Sequence, residues 1–213
     1  MAEKVKYYTP REDALSAYSH LLGFLLAFAG FFPLWYVVKR INFPAFTAGT
    51  VFYWFSLLAM FGASSFYHFC RSEKKKITAR KFDHCAIYLL ITGTYAPLIT
   101  GAVKTFSGFV VLWILIGLTL IGILNKCFFA NKFHFLEVLI YIAMGWACVF
   151  IAGNMIAGMS STGLYLLLAG GITYTSGVIF YVIRKEFFHA VWHFFVLGGA
   201  ILQFLSILTI GKL

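Results

Sequence analysis

The sequence predicts an all-α integral membrane protein: a seven-transmembrane helix bundle with its N-terminus in the cytoplasm and its C-terminus outside. Three observations predict it. Hydrophobic residues make up 62% of the 213 residues and charged residues 11%, against roughly 45–50% and 25% in soluble domains. The apolar residues fall into seven runs of membrane-spanning length, about 20 residues each. The basic residues fall between those runs, mostly on alternate loops. A chain this apolar cannot cover itself in water, which excludes a soluble enzyme, a nucleic-acid binder and a disordered tail. The net charge of +10 is the signature of membrane loops and not of a nucleic-acid-binding stripe.

The first apolar run covers residues 14–38. It is longer than the ~7–15-residue core of a signal peptide and no basic run directly precedes it, so it reads as a retained helix. The second covers 44–69. A strongly charged stretch, 71–81, follows and reads as a loop. The third run is 83–102, with Pro97 near its far end, where a kink is tolerated. The fourth is 109–125, the fifth 135–157, the sixth 164–183 and the seventh 189–210. The alternating pattern of a barrel strand is absent. Residues 1–13 read as a short cytoplasmic tail and 14–213 as one helical domain. No internal repeat is visible.

Seven spans put the termini on opposite sides. Thirteen Lys and Arg fall on the side of the N-terminus: Lys4, Lys6 and Arg11, six in the 71–81 stretch, Lys126 and Lys132, and Arg184 and Lys185. Lys39, Arg40, Lys104 and Lys212 fall on the other. The positive-inside rule assigns the richer side to the cytoplasm. Four cysteines (Cys70, Cys85, Cys127, Cys148) show no framework spacing and read as reduced thiols.

Ionisable residues inside a span are costly and point to function. On this topology His68 ends the second helix, Asp83 and His84 open the third, His189 and His193 open the seventh, and His20, after Glu12 and Ser16, lies just inside the first. With Glu137 at the start of the fifth, all sit at the cytoplasmic end. In the outer half Asn154 and Gln203 are the most polar side chains. His189 and His193 are four residues apart, on one helix face, a spacing that lets two imidazoles hold one metal ion. His68 supplies a third ligand from the second helix. Three His with an open fourth position is the pattern of a catalytic zinc. Asp83 is placed to hold or deprotonate a water there, and Ser64, one turn before His68, to orient water or substrate. Asp83 also suits a helix N-cap.

Plainer readings apply elsewhere. A histidine at a helix end is ordinarily interfacial, and His20, His84 and His134 read so. Ser16 and His20 repeat the Ser64–His68 spacing and read as supporting polarity. Glu137 reads as a first-turn carboxylate favoured by the helix dipole. Lys74 to Lys76 read as a topology signal in contact with anionic lipid. Other metal classes fit less well. Ala190 stands where a zincin needs Glu, only Glu186–His189 has the di-iron spacing, six histidines are too few for a membrane desaturase, and Cys70 lies on another face from His68.

Ser64-Ser-Phe-Tyr-His68, the stretch from Asp83 to Pro97, and His189-Ala-Val-Trp-His193 resemble the three signature segments of the hemolysin III family, the bacterial branch of the progestin and adiponectin receptor group. Glu12 to His20 resembles the family's usual opening. The resemblance covers nearly the whole chain. It implies seven helices, a cytoplasmic N-terminus, zinc on His68, His189 and His193, and Asp83 and Ser64 close to the metal. The wider superfamily includes alkaline ceramidases, which implies a zinc-dependent hydrolase acting on a lipid amide or ester at the cytoplasmic leaflet of a bacterial plasma membrane. The alternative is a zinc-containing sensor or regulator of membrane homeostasis without turnover. A transporter fits less well because the outer half lacks an ionisable path, and a polytopic protein does not resemble a secreted pore-former. Gly153–Ala157 permits helix pairing without fixing an oligomeric state.

Overall fold

The structure, a computed structural model, describes residues 8–128, 134–183 and 185–211. Within them it is a bundle of helices, seven of which are long and apolar enough to cross a membrane. Lys4, Lys6, Lys132, Arg184 and Lys212, counted in the charge argument, lie outside the described residues.

The first span is two helices, α1 (Pro10–Ala29) and α2 (Phe31–Ile41). Thr9 and Glu12 form a reciprocal capping box and Pro10 takes the first helical position, where its missing N–H is no loss. The helix therefore starts earlier than the apolar run suggests and takes in Glu12 and Asp13. The break at Gly30 follows from Pro33, which has no N–H for the carbonyl of Ala29 and kinks the span. Asn42, in the left-handed region at φ 47°, ends α2, and Pro44 opens α3 (Pro44–Phe69).

The third span departs most from expectation. Residues 73–81 are not a loop. They are the first turns of α4 (Glu73–Leu98), which runs on as a π-helical turn, Ile99–Val103. Lys, Arg and Glu are good helix formers, and no breaker separates them from the apolar run. Asp83 and His84 thus lie mid-helix, and Asp83 is not an N-cap. This is the central helix. It contacts α3, α5 (Phe106–Phe128), α6 (His134–Gly145) and α9 (Phe188–Leu208). Its most apolar stretch is 72% buried, against 17–44% for the other spans. Its contacts are close and polar, as suits helices in lipid. Thr92 Oγ1 lies 2.7 Å from Thr119 Oγ1 on α5, and a Cβ on Gly93 would come within 2.9 Å of Ser56 Cβ on α3.

The fifth span breaks at Trp146 between α6 and a 3₁₀ turn, Ala147–Ile151, before α7 (Ala152–Gly158). Tyr95 of α4 satisfies the exposed backbone: its hydroxyl donates to the Gly145 carbonyl and accepts from the Cys148 N–H, both at 2.8 Å. The sixth span, α8 (Ser161–Val182), is capped by Ser160. Phe187, at φ 63°, opens α9. Helices α1, α4, α6 and α9 begin at one end of the bundle, where α3, α5 and α8 finish; it is called the inner end below. All four cysteines are free thiols.

Candidate metal centre

At the inner end, the last turn of α3 and the first two turns of α9 carry the three histidines. Their meeting depends on α1, which lies between those helices and contacts both. Glu12 fixes the entry of α9: its Oε1 accepts the Phe187 N–H at 2.6 Å, while its Oε2 accepts the Thr9 N–H.

His189 Nε2 lies 3.3 Å from His68 Nε2 and 3.2 Å from His193 Nε2. Among the described residues these three form the group whose ligand atoms lie close enough to hold one metal ion, all within 4.8 Å of one another. Ligands about 2.0–2.1 Å from a tetrahedral zinc stand about 3.3 Å apart, so the spacing suits such an ion.

The outer nitrogens say which way the rings are protonated. His68 Nδ1 lies 2.8 Å from Asp13 Oδ1, and His193 Nδ1 lies 3.1 Å from the Ser16 carbonyl. Both partners are acceptors, so each Nδ1 carries the proton and each Nε2 presents a lone pair to the cluster. Lone pairs converging at this distance favour a cation between them. This is the usual support of a metal-bound histidine.

Asp83 and Ser64 do not join the three-histidine group. Both line the adjoining cavity, together with His189 and His193. His20, expected at the interface, is buried and stacks on the His193 ring with centroids 3.8 Å apart. Phe61 stands edge-on to its other side. His84 is also buried, 3.6 Å from Glu137 Oε2. The His134 side chain lies outside the described residues. Tyr8 stacks on His189 at 4.5 Å and forms part of the inner mouth. Its burial pushes the phenol well above its ordinary pKa, so it remains neutral.

Three residues read otherwise from sequence belong to buried clusters. Lys76, assigned to lipid contact, is buried and places Nζ 2.6 Å from Asp13 Oδ2. Asp13, assigned to the tail, bonds His68. Lys126, counted as a loop charge, is buried with Nζ 2.8 Å from both oxygens of Glu137. The signal for Asp13 was present in the spacing: Asp13, Ser16 and His20 recur at three and four residues and share a face of α1. The start of the helix was written there too, in the Thr9-Pro-Arg-Glu12 capping-box pattern that begins it at Pro10.

The cavity has a volume of about 570 Å³, in the range of ligand sites. Its inner mouth is polar, with Tyr8, Arg80, Asp83 and His189; the far end reaches Met155 and Gln203. His189 and Gln203 are both on α9, fourteen residues apart, so the cavity is about 21 Å deep. Between these ends the wall is mostly apolar, with Thr94 and Thr175 among its polar side chains.

A seven-helix membrane protein with three imidazoles gathered at the head of a deep apolar cavity is the class this fold and site define. Comparison with known proteins gives the family. The Haemolysin-III related family model matches residues 8–204, and the chain belongs to that family. It is 36% identical over 205 residues to the Hemolysin-3 homolog of Bacillus subtilis (strain 168), covering 94% of this chain and 95% of that one. It is 34% identical over 212 residues to Hemolysin-3 of Bacillus cereus, covering 98% and 96%. A more distant similarity, 26% over 164 residues, links it to the human Monocyte to macrophage differentiation factor, covering 73% of this chain and 67% of that protein. No solved structure matches the chain.

Proposed function

We propose that the protein is a zinc-dependent hydrolase of the plasma membrane, acting on a lipid amide or ester at the cytoplasmic leaflet, with the chain forming one membrane domain. The observation that carries the reading is the convergence of three histidine Nε2 atoms at the polar head of an apolar cavity about 570 Å³ in volume. His68, His189 and His193 would hold the zinc, which supplies Lewis acidity to a carbonyl and lowers the pKa of a water.

The chain's own residues do the rest. The apolar wall takes the acyl part of a lipid and excludes water from it. The polar mouth leaves the head group at the level of the histidines, so the scissile carbonyl lies at the metal end. Asp83, on the cavity wall, takes a proton from water as general base and returns it to the leaving amine or alcohol. Ser64 donates a hydrogen bond that orients water or substrate.

The test is metal content and turnover measured together on purified protein. Wild type should hold one zinc per chain and cleave a lipid amide or ester. His193→Ala should lose the metal. Asp83→Ala should keep fold and zinc while turnover falls by the 10²–10⁴-fold usual for a general base. Full activity of Asp83→Ala would overturn its role. Zinc without turnover on any lipid amide or ester would instead favour a sensor whose metal braces α3 against α9.

A further inference from the structure

We infer that Asp13 is a positioning residue of the metal centre, one that orients His68 and is itself held by Lys76. The inference rests on the metal reading above.

The geometry is a chain across three helices. Lys76 Nζ on α4 lies 2.6 Å from Asp13 Oδ2 on α1, and Asp13 Oδ1 lies 2.8 Å from His68 Nδ1 on α3. The His68 side chain is fully buried, Lys76 is 5% exposed and Asp13 18%. In so enclosed a place each member is constrained by the next. The His68 ring has two rotatable bonds and two nitrogens. The carboxylate selects the tautomer with the proton on Nδ1 and turns Nε2 toward His189 and His193. It also makes the imidazole a better donor to a cation, since partial negative charge at Nδ1–H raises the basicity of Nε2.

Lys76 completes the arrangement. A largely enclosed carboxylate with one neutral donor would be costly to keep ionised; the ammonium offsets that cost. It also ties the carboxylate to the central helix, which Asp13 could not reach otherwise. Tyr67, the residue before His68, lies 5.4 Å under the same ammonium. His68 and His193 are thus supported differently. His193 leans on a backbone carbonyl, which no side-chain substitution removes. His68 depends on a side chain, Asp13, so its support can be removed by substitution.

A simple α1–α4 ion pair is the competing account, and metal affinity separates the two. In Asp13→Asn the amide cannot accept from both neighbours: either its NH₂ opposes Lys76 or it opposes His68. Lys76 would be left buried and uncompensated, so a second variant, Asp13→Asn with Lys76→Met, removes that charge. The experiment uses the full chain in detergent, with zinc affinity read by chelator competition, melting temperature read with and without zinc, and the visible spectrum of the cobalt-loaded protein. Arg40→Met serves as a structural control, since it breaks only the Arg40–Ile210 carbonyl contact at the outer end.

Both Asp13 variants should bind zinc 10–100-fold more weakly, with an altered cobalt spectrum. The double variant should keep the metal-free melting temperature of wild type while losing most of the zinc-induced rise. Arg40→Met should lower the melting temperature and leave zinc affinity unchanged. Wild-type affinity in either folded Asp13 variant overturns the inference and leaves the metal reading standing. No metal binding by wild type overturns both. Failure of both variants to fold makes the pair a structural strut and also overturns the positioning role.

Discussion

The ionic pairs Lys76–Asp13 and Lys126–Glu137, both at the inner end, behave differently. Lys76–Asp13 is aimed at the histidine cluster. Lys126–Glu137 is a bidentate pair joining α5 to α6, with His84 beside it and the Tyr141 hydroxyl donating to the His84 carbonyl at 3.1 Å. A buried pair is weak grounds for net stability, but breaking one side of it is costly. Glu137→Gln leaves a buried ammonium facing an amide. It should lower stability by about 3–5 kcal/mol, read as thermal denaturation in detergent. Pairing it with Lys126→Met should recover much of the loss. Zinc affinity should stay at the wild-type value in the double variant, because the pair joins α5 to α6 while the three histidines lie on α3 and α9. If the single variant melts like wild type, the pair is not a buried ion pair in solution.

Helix breaks in the bundle have local causes, and the close helix contacts depend on small residues. Pro33 accounts for the break in the first span. Tyr95 makes the break in the fifth tolerable by serving both orphaned backbone groups. Helices α3 and α4 approach closely at Gly49, where a Cβ would lie 2.9 Å from the Ala96 carbonyl carbon and 2.8 Å from Thr100 Oγ1. Backbone cannot swing aside, so Gly49→Ala should cost about 1–3 kcal/mol through overpacking and lower the melting temperature. Gly153→Ala, where a Cβ would meet nothing within 4 Å, should leave it unchanged. Equal behaviour of the two would mean that α3 and α4 are less tightly packed than the structure has them.

Across the whole molecule, the polar cluster, the cavity mouth and most of the charge share one end. Cys127 is exposed at that end. If it faces the cytoplasm, as the Lys and Arg distribution implies, a membrane-impermeant thiol reagent added to intact cells should leave Cys127 unlabelled, and opening the cells should allow labelling. Labelling of intact cells would invert the bundle and place the three-histidine cluster in the outer leaflet. The same asymmetry explains the cavity: side chains from α4, α6, α8 and α9 line it, so no single helix carries its signature.

Apolar run length and charge placement were enough to define seven spans, because a bilayer imposes both on any chain that crosses it. The i, i+4 spacing of His189 and His193 was legible for the same kind of reason: helix geometry is local. His68 was legible as a partner because topology returns the end of the second span to the depth where the seventh begins. Asp13 was legible as a member of the helix face that carries Ser16 and His20, but its partners were not, and Lys76 and Lys126 were not legible at all. In sequence a charge beside an apolar run looks like a loop charge; only the tertiary arrangement that brings α4 to α1 and α5 to α6 removes it from water and gives it a partner. The burial of His20 and His84, the helical start of α4 and the volume of the cavity were likewise decided by tertiary structure, since burial depends on which faces meet and the chain order does not state that.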